Sequence, residues 1–155
     1  MAERPGCPKI LAFRPRVKLD HHSVQDSCMR IGVFGNHDSW YVRELCREGQ
    51  ERGHIMQPLR FEQCHSYIST AGISLHCGTD DLQDFDTVLI RTMPPGTLEQ
   101  VVTRMDQLAG LEARGVRVLN PPRSLECAVD KYLTTQRLAL AGLPVPRTVI
   151  CEDAE

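Results

Sequence analysis

The sequence predicts an α/β protein built on an open, mostly parallel sheet with helices on both faces. Three observations carry this. Short apolar runs suited to buried strands recur at Arg30–Gly35, Thr87–Ile90 and Val116–Leu119. Stretches with helical periodicity alternate with them, at about Trp40–Arg52 and again after Thr97. Glycine or proline marks most of the junctions. The alternation β-α-β-(β)-β-α-β is what crossover-connected parallel strands require.

The composition bounds the possible functions. The chain has 155 residues, 41% of them hydrophobic and 25% charged, which suffices for one soluble domain with a core. A formal net charge of −2 argues against a broad nucleic-acid footprint. No apolar run reaches membrane-spanning length, and no apolar signal region opens the chain. A cytoplasmic location, with no nucleic-acid or membrane partner, is the expectation.

Taken in order, residues 1–28 carry three prolines and scattered charge without periodicity, and are expected to be a disordered extension. The first strand, Arg30–Gly35, leads through Asn36-His37-Asp38-Ser39 into a helix. His37, Asp38 and Ser39 read better as a helix cap than as ligand contacts. Val42, Leu45, Cys46 and Gly49 form that helix's apolar face, and Gly53 ends it before a strand from His54 to Leu59. Gly35 before a helix start hints at an anion site, although an ordinary tight turn explains it too. Residues 61–70 show no clear pattern, and Gly72–Cys77 reads as a strand.

Arg91 directly follows the buried strand Thr87–Ile90. Open α/β sheets place ligands outside such carboxyl ends, and a surface salt bridge is the alternative. Thr97 and Gln100 have capping-box spacing. Leu98, Val101, Val102, Met105, Leu108 and Ala109 are expected to pack as a stripe on the sheet. Gly115 ends that helix, and Asn120-Pro121-Pro122 stops the strand Val116–Leu119.

The seven cysteines are odd in number and lack the C-x-x-C spacing, so free, mostly structural thiols are expected. Cys64-His65 and His76-Cys77 mirror each other, but neighbours on a strand point to opposite faces, which disfavours a metal site.

The most informative stretch is Asn120–Thr148. Asp130 is a good N-cap for a helix over Lys131–Ala141. Gly142 suits its left-handed exit, and Pro144 and Pro146 force an extended path toward Val149 and Ile150. Lys131 opposes the helix dipole there, an odd choice for stability alone and a better one if an anion binds.

This D-K helix followed by A-G-L-P-V-P-R-T resembles the hinge of ATP-grasp ligases, most of all the RimK-like α-L-glutamate ligases. The apolar strand ending in Arg91 and the Leu119-Asn120 strand end fit the same family. The resemblance implies a Rossmann-like pre-ATP-grasp domain at 29–120. It also implies the first helix and strand of a truncated ATP-grasp domain at 121–155. It implies an ATP-dependent ligase joining an amine, often that of glutamate, to a carboxylate acceptor through an acyl phosphate. Lys131 would face ATP. Arg91, Asn36, Ser39 and Trp40 would face substrate. The Mg2+ ligands and catalytic residues would lie beyond Glu155, so turnover is not expected from this chain by itself. A homo-oligomer fits the resemblance as well. A free-standing Rossmann-like binding module, or a ligase of the glutathione-synthase or D-Ala-D-Ala type, is the alternative.

Overall fold

The structure, a computed structural model, describes residues 27–70 and 72–153. The expectation for residues 1–28 falls, apart from the last two, outside the described residues. Four strands form a parallel sheet in the order β2-β1-β6-β7: β1 is Arg30–Phe34, β2 Ile55–Leu59, β6 Thr87–Ile90 and β7 Arg117–Leu119. α1 (Trp40–Glu51) connects β1 to β2, and α2 (Leu98–Ala113) connects β6 to β7. Gly53 and Gly115 follow these helices with φ of 82° and 95°, conformations that suit glycine after a helix end.

The core lies where the strands' apolar runs meet the helices. Val33, Phe34, Val42, Leu59, Leu82, Val88, Leu108 and Leu111 have at most 2% of their surface exposed. Phe34 and Phe61 stack with ring centroids 4.3 Å apart. The capping box forms as its spacing predicts, with the Gln100 amide donating to the Thr97 hydroxyl at 3.3 Å and the Thr97 amide to Gln100 Oε1 at 3.0 Å.

Other expectations are corrected. Gly72–Cys77 is a strand, β4, but it lies outside the parallel sheet. It pairs antiparallel with β3 (Cys64–Ser69) and with the two-residue β5 (Asp80–Asp81) in a second sheet. Arg30 ties the two sheets together: its guanidinium lies 2.7 Å from Asp80 and 4.3 Å from the centre of the Phe85 ring. The α2 stripe is rotated from its expected position. Leu98 and Val102 are exposed, whereas Leu108 and Leu111 are buried, because α2 packs on β7, β4 and a further helix together. Leu45 on α1 is likewise exposed. That further helix, α3 (Pro122–Val129), begins where a simple stop was expected. Pro122 occupies its first turn, where the missing N–H costs nothing. α4 (Lys131–Leu140) follows with Asp130 as N-cap, its carboxylate accepting from the Leu133 amide at 2.9 Å. Gly142 is left-handed at φ 74°. Residues 143–150 run on without joining a sheet in this chain.

Candidate functional site

In a doubly wound sheet, connections leaving adjacent strands in opposite directions open a crevice at the strands' carboxyl ends. The order β2-β1-β6-β7 puts that point between β1, which leads to β2 on one side, and β6, which leads to β7 on the other. A cavity of about 370 Å³ lies there. Gly35, Asn36 and Asp38 line it from the loop after β1, Arg60 to Glu62 from the turn after β2, and Thr92, Pro94 and Pro95 from the loop after β6.

Local chemistry sets the shape of these walls. Asn36 Oδ1 accepts from the Asp38 amide at 3.0 Å, and the Asn36 carbonyl accepts from the Ser39 amide at 3.0 Å, which folds the loop back onto the helix start. A Cβ on Gly35 would sit 2.9 Å from Val42 Cγ2, so this strand-to-helix turn needs a glycine for close approach. The second wall is held by the Arg104 guanidinium, which donates to the Pro94 carbonyl at 2.7 Å. Among the described residues Arg60 makes no ion pair, while Asp38 and Glu62 place two carboxylates on the same cavity's wall. His37 Nε2 is buried without a hydrogen-bond partner.

The structure divides the residues that sequence reasoning grouped together. Asn36 lines the cavity. Trp40 and Arg91 instead line a separate groove of about 310 Å³ along α1, with Tyr41, Glu44, Leu45 and Glu48. The Arg91 guanidinium stacks over the Tyr41 ring, 4.5 Å from its centre, and its amide donates to the Phe34 carbonyl at 2.9 Å. Arg91 makes no ion pair among the described residues, so the salt-bridge alternative is not its environment. Ser39 occupies the N-cap position of α1, yet its side chain accepts no cap hydrogen bond, contrary to the cap reading. No acidic side chain sits in that first turn either.

Lys131 is distant in character from both cavities. Its Nζ donates to the Ala128 carbonyl at 3.1 Å, at the C-terminal end of α3. The dipole argument for an anion beside it therefore weakens. A cation at a helix C-terminus is favourable, and α3, missed in the sequence, supplies that terminus.

Sequence reasoning missed Arg60, Phe61 and Glu62. The signal was present: Arg60 follows β2 directly, as Arg91 follows β6. The mirrored Cys and His pairs gather as like with like. Cys64 stands opposite Cys77, and His65 opposite His76, with the imidazoles stacked 5.3 Å apart. No group of three or more metal-ligating side chains forms among the described residues. Of the cysteines described as free, Cys77 alone is buried, while Cys28 and Cys151 are exposed, so burial is less common than expected. No helix among the described residues is long and apolar enough to cross a membrane.

Comparison with known proteins places this geometry. The tetrahydromethanopterin:alpha-L-glutamate ligase of Methanosarcina acetivorans is 34% identical over 131 residues, covering 81% of this chain and 40% of that protein. A probable alpha-L-glutamate ligase of Xanthomonas oryzae pv. oryzae is 32% identical over 133 residues, covering 82% and 42%. The chain thus spans about two fifths of the length of these relatives. Among solved structures, the ATP-grasp ligase PsnB complexed with a minimal precursor shares the fold, with a TM-score of 0.58 at 22% identity over 78% of this chain and 46% of that one. The family profile described as the RimK PreATP-grasp domain matches residues 29–125. With its sheet order, its switch-point cavity and this match over more than half its length, the chain belongs to the RimK pre-ATP-grasp domain family.

Proposed function

We propose that this domain forms the substrate side of an ATP-dependent carboxylate–amine ligase, one that adds glutamate to a protein or small-molecule acceptor. In such a reaction the γ-phosphoryl group passes to a carboxylate, giving an acyl phosphate and ADP. The amine then attacks the acyl carbon and phosphate leaves. The names borne by the relatives support glutamate as the substrate class. A solved PsnB complex that contains Mg and ADP supports ATP and Mg2+ as the cofactors. When bound, ATP with Mg2+ supplies the activated phosphoryl group. The described residues bring together no set that could hold the metal, so no magnesium-dependent step is assigned to them.

The observation that carries the reading is the switch-point cavity, where Arg60 makes no ion pair among the described residues although Asp38 and Glu62 line the same space. In this proposal Arg60 and Asn36 hold a substrate carboxylate at the carboxyl ends of β1 and β2. A guanidinium matches a carboxylate's two oxygens in a way that an ammonium does not. Arg91 and Trp40 take a more distant part of the substrate along α1, and Ser39 orients the loop between the two. Residues 29–120 make up this unit, and 121–155 begin the nucleotide-binding half. Lys131 faces ATP, supported by its place in the D-K motif; its bond to the Ala128 carbonyl would have to exchange for a phosphate.

The test uses a protein extended through a complete ATP-grasp region. Arg60→Ala should raise the KM for one carboxylate substrate roughly 5–30-fold, the equivalent of about 1–2 kcal/mol, and leave the KM for ATP in place. Lys131→Ala should do the reverse. An Arg60→Ala protein with unchanged KM for every carboxylate substrate would overturn the assignment of the cavity.

A further inference from the structure

The β3–β4 hairpin holds a pair of thiols that the ligase reading does not use. The Gly78 amide donates to the Gln63 carbonyl at 3.0 Å, just before the ladder in which Cys64 stands opposite Cys77. Hydrogen-bonded and non-hydrogen-bonded pairs alternate along an antiparallel ladder. Cys64–Cys77 is therefore a non-hydrogen-bonded pair, with Cα atoms about 4.5 Å apart and side chains close on one face. That separation lies within the roughly 4.4–6.8 Å that a disulfide bridges. Both sulfurs also converge on one carbonyl oxygen: Cys64 Sγ lies 3.5 Å and Cys77 Sγ 3.3 Å from the Arg60 oxygen.

We propose that Cys64 and Cys77 are a redox-active dithiol that closes to a disulfide when a hydroperoxide reaches the hairpin. The chemistry balances with hydrogen peroxide as the oxidant. The Cys77 thiolate attacks one peroxide oxygen, the O–O bond breaks, and the departing hydroxide leaves as water with the thiol's proton. The Cys64 sulfur then attacks the resulting Cys77 sulfenic acid. The S–O bond breaks, the S–S bond forms, and a second water departs with the Cys64 proton. In total two thiols are oxidised and one peroxide is reduced to two waters.

The surroundings fit each step. The Cys64 S–H beside it pulls the Cys77 thiol down, against the opposing effect of burial, which favours the thiolate that attacks the peroxide. The same hydrogen bond and burial push Cys64 up, which keeps it the protonated partner in the first step. Cys77 is only 4% exposed, which favours a small oxidant over a bulky disulfide. Closure removes the thiol protons from beside the Arg60 carbonyl, which keeps the Gln63 amide as a donor at 3.1 Å. This inference is independent of the ligase reading and would stand if that reading fell.

The test treats the chain with hydrogen peroxide, blocks the remaining thiols, and maps the unreduced peptides by mass spectrometry. The intact mass should fall by two hydrogens, with the linkage at Cys64 and Cys77 and full reversal by dithiothreitol. Cys64→Ser, at a half-buried position, should abolish the mass loss and leave a Cys77 sulfenic acid that dimedone traps. The proposal is overturned if the untreated-to-treated change is single-cysteine oxidation without a crosslink. It is equally overturned by a linkage through Cys7, Cys28, Cys46, Cys127 or Cys151, or by one between two chains.

Discussion

Replacing Lys131 with methionine separates two opposed electrostatic effects at one residue. As the first residue of α4, Lys131 places a cation at a helix N-terminus, where the dipole disfavours it. Its Nζ nevertheless lies 3.1 Å from the Ala128 carbonyl, one of the last of α3, where a neighbouring dipole favours it. The charge is in direct contact with the second terminus, and dipole effects fade within one turn, so the favourable contact prevails. Methionine keeps the aliphatic stem and a similar helix propensity while removing the charge. The variant should lose about 0.3–1 kcal/mol of stability, the scale of an exposed helix-terminus contact. For a domain of this size that corresponds to a fall in thermal midpoint of roughly 1–4 °C. Circular dichroism melts at low and high ionic strength are the assay, because salt should shrink the difference. A midpoint that rises, or a fall that salt leaves untouched, would refute the reasoning.

Other perturbations should act as follows. Gly35→Ala puts a Cβ 2.9 Å from Val42 Cγ2, and Val42 is 1% exposed and β-branched, so it cannot yield; a loss of about 1–3 kcal/mol by urea denaturation is expected. Thr97→Ala removes the capping box of α2 and should cost about 1 kcal/mol, measured the same way. The pH dependence of alkylation should show Cys77 reacting at lower pH than an ordinary thiol, because the Cys64 S–H stabilises its thiolate, and Cys64→Ala, which removes that donor, should move the midpoint upward.

Much of the fold was legible because local signals agreed with the global one. β1, β6 and β7 read as buried runs, α2 and α4 announced themselves through caps and glycine exits, and α1 through its periodicity and Gly53. α3 was hidden by Pro121-Pro122, which look like a stop but also suit a helix start. β3 was hidden because five of its six residues are exposed, so no alternation of polar and apolar side chains marked it. The membership of β4 in a second sheet could not be read locally, since pairing partners are a tertiary matter. At the site, Arg91 and the Asn36 loop were visible from the rule about carboxyl ends. That they line different cavities follows from the Arg91 side chain turning onto Tyr41, a contact 50 residues apart in sequence that no spacing encodes. Arg60 obeyed the same rule but belonged to a strand whose end was read only as the start of an unclear stretch.

The central claim is that the cavity between β1 and β6 binds a carboxylate through Arg60. Isothermal titration calorimetry of glutamate into the chain, compared with Arg60→Ala, Arg60→Lys and Arg91→Ala, tests it most directly. Saturable binding is expected that Arg60→Ala weakens roughly 5–30-fold, that Arg60→Lys restores only in part, and that Arg91→Ala affects less. Binding that survives Arg60→Ala intact, or that Arg91→Ala abolishes instead, would contradict it.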